Sequence, residues 1–205
     1  IPPWLSKKRP ESNLSIVRYV QMQCFRRLQK KGLLDIYTRA VNEFEENGYS
    51  VRLPESETSG YFLPHRPVFK EGSTTSVRPV FNGSFARFGQ RSLNDLLFKG
   101  AWPQTNLHST LVIWRLFEFS VFADVKKAFL QIRIPEADRQ YFRYLWFDAD
   151  GRMIAFEMTS LIFGATSSPF VLYAVLRKLF LEHAPPHLKS FTDTTYMDDA
   201  LVVAS

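Results

Sequence analysis

Apolar residues recur at helical spacing early in the chain, at Leu14, Val17, Val20/Gln21, Cys24/Phe25 and Leu28, then at Leu33/Leu34, Tyr37, Ala40/Val41 and Phe44. Each run stops at a glycine, Gly32 and Gly48, the residue that closes a helix most easily in the left-handed conformation. The pattern predicts a helical hairpin. From Tyr49 to Phe81 the period shortens, and Tyr49–Leu53, Pro67–Lys70 and Val77–Phe81 read as strands between Ser, Thr, Gly and Glu turns. Leu107, Leu111, Trp114 and Phe117 or Glu118 predict another helix. Phe119 to Ala123 predicts a strand that ends on Asp124, followed by a short amphipathic turn from Val125 to Phe129. Phe142–Phe147 and Met153–Met158 flank Asp148-Ala149-Asp150-Gly151, a hairpin signal in which the aspartates are turn chemistry. A calcium loop would need a distal Glu, and Met158 supplies none. Ser168-Pro169 is predicted to open a helix as cap and first-turn proline, with the stripe Leu172, Val175/Leu176 and Leu179 before Pro185-Pro186. Tyr196 to Val203 is again hairpin-like. Helices mixed with antiparallel hairpins predict an α+β fold rather than a doubly wound sheet.

Composition narrows the class without naming a function. The 205 residues are 45% hydrophobic and 22% charged, with a net charge of +6, which is ordinary for a globular chain and excludes a disordered or fibrous one. No run approaches the roughly 20 apolar residues of a membrane span. The opening Ile1-Pro2-Pro3-Trp4-Leu5-Ser6-Lys7-Lys8 lacks the charged-then-apolar order of a secretory signal, so an intracellular, cytoplasmic protein without membrane partners is expected. Cys24 is the single cysteine and the four histidines are scattered, which leaves no intrachain disulfide and no Cys/His zinc site. Any metal would therefore sit on carboxylates. Positive charge is concentrated before residue 32, where eight Lys and Arg side chains stand against Glu11, with a smaller excess from Arg66 to Lys99. Basic stretches among aromatics suit a phosphate backbone, but they suit a solvated helix face equally well.

Three carboxylates change the picture. Asp198 and Asp199 interrupt an apolar strand between Tyr196-Met197 and Ala200-Leu201-Val202-Val203. A polar turn explains a random Asp-Asp pair, yet adjacent like charges among apolar residues are expensive unless a cation neutralises them. Asp124 also closes an apolar strand. If the two strands lie side by side, the three carboxylates share a site. Two divalent ions about 4 Å apart on shared carboxylates are the usual apparatus of in-line phosphoryl and nucleotidyl transfer.

The motifs around these residues resemble the fingers and palm of reverse transcriptases, and among them the Pol polyprotein of Pao/Bel-class LTR retrotransposons. Asp124-Val125-Lys126-Lys127-Ala128-Phe129 is similar to the first catalytic motif, Phe163-Gly164-Ala165-Thr166-Ser167-Ser168-Pro169 to the motif leading into the palm helix, and Tyr196-Met197-Asp198-Asp199 to the Tyr-x-Asp-Asp box. Leu63 to Lys70, Arg78 to Ser84 and Ser92 to Leu97 look like Pao-type fingers. The likeness runs from about Gly48 to the last residue. Phe163 stands where retroviral enzymes have Gln and Lys127 where they have an acid, both as in Pao-type relatives, and Asn82 replaces the Asp of that class.

The resemblance implies an α+β right-hand polymerase with an antiparallel palm sheet, packed helices and no thumb. It implies a helical hairpin and fingers over 1–99, palm over 100–134, a fingers insertion over 135–166, and palm over 167–205. Asp124, Asp198 and Asp199 are its expected catalytic residues, and with Val125 they would bind two Mg2+ ions, with Mn2+ as a substitute. Phe129 would be a steric gate against a ribose 2′-hydroxyl, and Val125 and Phe163 would touch the nucleotide. Lys70 and Arg78, facing one another across a turn centred on Thr74, would clamp the triphosphate. The implied partners are an RNA/DNA template-primer, deoxynucleoside triphosphates and the remaining Pol segments (thumb, connection and ribonuclease H), within a retroelement particle. Without those segments the primer terminus is poorly held, and weak or absent activity is expected. Two other readings share the same residues. One is a non-catalytic remnant that binds nucleic acid, and the other is a metal-dependent nuclease, which gives no reason for Phe129, Lys70 and Arg78.

Overall fold

The computed structural model describes residues 2–69, 77–101, 107–116, 118–183, 185, 195–196 and 199–204. The opening hairpin is α1 (Leu14–Lys30) and α2 (Leu34–Glu46), and Gly32 and Gly48 follow them at φ of 67° and 69°, as the glycine stops predict. Asn13, at the start of α1, does not cap it with its side chain. It donates to the Phe62 carbonyl (2.9 Å) and accepts from the Phe62 N–H (2.8 Å), so a buried amide fastens the helix to a distant segment.

Three antiparallel sheets follow, and the fold is mixed α+β. β1 (Ser50–Arg52) and β5 (Arg143–Phe147) flank β6 (Met153–Met158) in the first sheet, while β2 (His65–Phe69) and β3 (Val77–Phe81) form the second. The third has β4 (Phe119–Asp124) and β7 (Thr195–Tyr196) on either side of β8 (Asp199–Ala204). β6 alternates, with Ile154, Phe156 and Met158 buried and the residues between them partly covered. β5 is buried at every position. Leu145 meets Val17 and Phe62 in one small core, while Tyr144 and Trp146 belong to the main core with Tyr37 and Phe156. Tyr144 stacks on Phe156 and Tyr37 meets Trp146 edge-on, both with ring centroids 5.0 Å apart. The β5–β6 turn is built as expected. Asp148 accepts the backbone N–H groups of Asp150 and Arg152, Arg152 pairs with both aspartates, and Gly151 takes a φ of 76°.

Two short helices, α3 (Leu93–Leu96) and α5 (Glu136–Arg139), were not in the periodicity because one helical turn is too short to show one. The third predicted helix is α4 (Leu107–Leu116), which packs on β8. α6 (Ser168–His183) corrects two expectations. Ser168 lies inside the helix instead of capping it. The Val171 N–H bonds to the Ser167 carbonyl, and the Ser168 hydroxyl donates to the Ile162 carbonyl (2.7 Å). The stripe is buried only at its start, since Leu172 is covered whereas Val175 and Leu179 are exposed. Among the described residues no helix is long and apolar enough to cross a membrane.

Candidate active site

The candidate site is built where β4 meets β8. Their six residue pairs run antiparallel from Phe119 opposite Ala204 to Asp124 opposite Asp199, and Asp199 is also paired on its other side with Tyr196 of β7. Two aspartates 75 residues apart in sequence therefore occupy directly opposed positions at the end of one ladder. Side chains at such positions share a face with Cβ atoms about 5 Å apart, and like charges there are destabilising. Asp124 is exposed. Asp198, expected as the third carboxylate, lies outside the described residues. Among the described residues no group of three or more His, Cys, Asp or Glu gathers as a metal-ligand cluster. The donor chemistry of the opposed pair nevertheless suits a hard divalent cation, which prefers carboxylate oxygens and would cancel their repulsion.

Beyond Asp124 the chain turns sharply. Val125 accepts the Ala128 N–H (3.1 Å) at its carbonyl, which opens a 3₁₀ turn over Ala128–Gln131 and leaves one lone pair on that oxygen. Lys127 enters this turn at a φ of 54°, and it is the one described non-glycine residue with positive φ. Such a left-handed residue costs on the order of 1–2 kcal/mol. Its ammonium points back to Glu43 (3.6 Å) and over the Tyr49 ring, so its charge is engaged with α2 and the residue before β1. The turn packs against α6 and presents Phe129, whose half-buried ring meets Phe163 edge-on at 5.7 Å. Phe163 itself is exposed. The pairing of Phe129 with Phe163 thus joins two residues that the sequence proposed separately.

Asn94 was not foreseen in any role, and it ties the motifs around Phe163 together. Its side-chain amide donates to the Ser84 hydroxyl (2.9 Å) and the Gly164 carbonyl (3.2 Å), its carbonyl accepts the Thr166 N–H (2.8 Å), and its own N–H donates to the Gly83 carbonyl (2.9 Å). The glycines permit this approach. A Cβ on Gly83 would lie 2.5 Å from the Gly164 carbonyl, and one on Gly164, whose φ is 123°, would lie 2.3 Å from the Phe81 carbonyl. The one local signal that could have found it is the neighbouring Ser92-x-x-Asp95 spacing. It forms a capping box at α3, with Ser92 and Asp95 each bonding the other's backbone N–H, and so presents Asn94 on the first turn.

One expected site residue is paired differently from its expectation. Arg78 is exposed on β3, and the register pairs it with Val68, so it does not stand opposite Lys70 as a turn centred on Thr74 requires. The register is shifted by two residues from that expectation, and apolar alternation on so short a hairpin does not fix it. Lys70 lies outside the described residues. His65, within the fingers-like motif, is structural. It is fully buried between the Tyr37 hydroxyl (2.5 Å) and the Leu145 carbonyl (3.0 Å), with the Gln21 amide beside it, and burial lowers its pKa from 6.5 to about 4.

Compared with known proteins, the chain matches no family model and no curated protein.

Proposed function

We propose that the chain is the fingers and palm of an RNA-directed DNA polymerase of the Pao/Bel retrotransposon type, which adds deoxynucleotides to a primer 3′-hydroxyl. The observation that carries this reading is the register of β4 on β8, in which Asp124 stands opposite Asp199, the neighbour of Asp198. A strand-end aspartate and an Asp-Asp pair far away in sequence have no folding reason to be opposed, because their repulsion weakens the ladder. The Phe129–Phe163 pair, whose nearer member is five residues beyond Asp124, gives the turn that follows the strand end an apolar surface.

Asp124, Asp198 and Asp199, with the free lone pair of Val125, would hold two Mg2+ ions. When bound, these ions supply Lewis-acid stabilisation of the charge that builds up on the transferring phosphoryl group. In the reaction the primer oxygen forms a bond to the α-phosphorus, the bond to the pyrophosphate oxygen breaks, and the hydroxyl proton leaves to solvent. The residues of the chain position and select. The ring of Phe129, kept in place by Phe163 and the 3₁₀ turn, excludes a 2′-hydroxyl by bulk, and Arg78 with Lys70 contributes positive charge for the triphosphate. Template-primer binding draws on the excess of Lys and Arg.

Primer extension on poly(rA)·oligo(dT) with magnesium tests this, using the chain alone and joined to a thumb segment of a related polymerase, each with and without Asp124→Asn. Magnesium-dependent addition that disappears with Asp124→Asn is expected. Duplex binding without addition by the joined chain overturns the polymerase reading in favour of a binding remnant. Release of nucleotides from the duplex overturns it in favour of a nuclease.

A further inference from the structure

The 3₁₀ turn that presents Phe129 is a poor fixture by itself. It has four residues, Ala128–Gln131, its hydrogen bonds have the poorer geometry of a 3₁₀ helix, and it is entered through the left-handed Lys127. Phe163 meets the Phe129 ring edge-on but is itself exposed, so it offers no rigid wall. Two cations flank the turn, Lys127 before it and Arg133 after it. Both reach back to one place, the corner Gly48-Tyr49 between α2 and β1.

Arg133 makes the firmer contact. Its Nη1 shares its hydrogens among the Gly48 carbonyl (2.6 Å), the Thr159 hydroxyl (2.7 Å) and the Ser160 hydroxyl (3.2 Å), and the Thr159 hydroxyl donates in turn to the Gly48 carbonyl (2.8 Å). Backbone bonds complete the corner: the Thr159 N–H donates to the Tyr49 carbonyl (2.9 Å), the Ile134 N–H to the Thr159 carbonyl (2.8 Å), and the Leu161 N–H to the Ile132 carbonyl (2.8 Å). Thr159 and Ser160 are buried, and among the described residues no carboxylate lies within ion-pair distance of Arg133. Its role is therefore not to pair a charge but to hold three neutral oxygens together. Lys127 meets the same corner from the other end of the turn, 3.6 Å from Glu43 in the last turn of α2 and 5.5 Å above the Tyr49 ring. That pair is largely open to solvent, so it is the weaker hold and the one that salt screens.

We infer that Arg133 and Lys127 are positioning residues for the choice of sugar: neither touches the nucleotide, and together they pin both ends of the turn so that the Phe129 ring is held against a ribose 2′-hydroxyl. The inference rests on the polymerase reading, and it adds which residues outside the site set its selectivity. A gate that works by bulk works only at one place, and a misplacement of about 1 Å is enough to cost a site on the order of 100-fold. The margin is narrow, because an apolar surface rejects an added hydroxyl by only about 100-fold. A four-residue turn facing an exposed ring does not supply that precision, and the clamp on Gly48-Tyr49 does. The corner closes the helical hairpin, so the clamp ties the N-terminal helices to the selectivity of a site whose carboxylates they do not carry.

Two measurements test this. Amide hydrogen exchange of the whole chain, which needs no activity, reads the turn, and addition of a single dTTP or UTP by the chain joined to a thumb segment of a related polymerase reads the gate. Arg133→Met is expected to speed exchange of the Ala128, Leu130 and Ile132 amides, which bond within the turn, by about 10- to 150-fold relative to the amides of α1. It is also expected to lower the preference for dTTP over UTP by about 10-fold or more while the affinity for the primer duplex stays the same. Arg133→Lys should recover part of both effects, and Lys127→Met should give smaller ones that vanish at about 1 M salt. Unchanged exchange in the turn, equal acceleration in α1, or faster exchange with an unchanged preference overturns the inference. Addition of neither nucleotide by the joined wild type overturns the polymerase reading and the sugar role together, whereas the exchange result stands by itself and still decides whether the two cations hold the turn.

Discussion

His65 shows what burial does to one side chain. Its Nε2–H donates to the Leu145 carbonyl, so Nδ1 accepts from the Tyr37 hydroxyl, and Phe81, Tyr144 and Trp146 pack around the ring. The neighbours from α1, α2, β3 and β5 are all uncharged, and burial outweighs the one contact that favours an imidazolium, the Leu145 carbonyl. With a folded pKa of about 4 against 6.5, the unfolded chain binds a proton between those values that the folded chain refuses. The contribution to stability is whole above pH 6.5 and is lost as pH falls toward 4, by up to about 3 kcal/mol. Denaturant melts at stepped pH should show this decline, and a His65→Gln variant, weaker at pH 7, should lose it over that window. A wild-type midpoint that stays flat from pH 6.5 to 4.5 would contradict the account. The sequence showed a histidine among fingers-like residues and nothing of this role, because burial comes from elements 44 and 80 residues away.

At the scale of elements, the opposed aspartates of β4 and β8 set fold against function. Asp124→Asn removes one of two like charges at the end of the ladder. In EDTA it should therefore stabilise the chain by about 0.2–1 kcal/mol, a rise of up to about 4 °C in Tm. Added magnesium should raise the Tm of the wild type and leave that of Asp124→Asn nearly unmoved. A lower Tm for the variant in EDTA would mean that Asp124 makes a structural contact instead. The two strands were legible from their apolar runs, and so was the aspartate that closes the first. Their register was not, because a run of β-branched and aromatic residues pairs equally well one step along until the rest of the sheet is in place. The same limit explains β2 and β3, whose strands were predicted and whose register is shifted by two residues.

For the molecule as a whole, Asn94 measures how much of the site is tertiary. Asn94→Ala strands the Thr166 N–H and the Gly164 carbonyl in a partly buried place, and it should destabilise the chain by about 1–3 kcal/mol. Asn94→Asp keeps the bond to Thr166 and loses both donated ones, so its loss in a thermal melt should be smaller. Equal losses for the two variants would assign the latch to the two donated bonds and leave none of it to Thr166. The sequence by itself determined the helical hairpin with its glycine stops, the β5–β6 hairpin with its Asp-Gly turn, the α+β class, and the types of residue available for chemistry. Those follow from local periodicity and turn preference, which neighbours along the chain decide. Only the tertiary structure decided that Asp124 stands opposite Asp199, that Phe129 meets Phe163, that Asn94 binds three motifs, and that Arg133 reaches the corner at Gly48. Each of these depends on which surfaces are left over once the apolar area is buried, and that is a property of the packed molecule and not of any stretch of it.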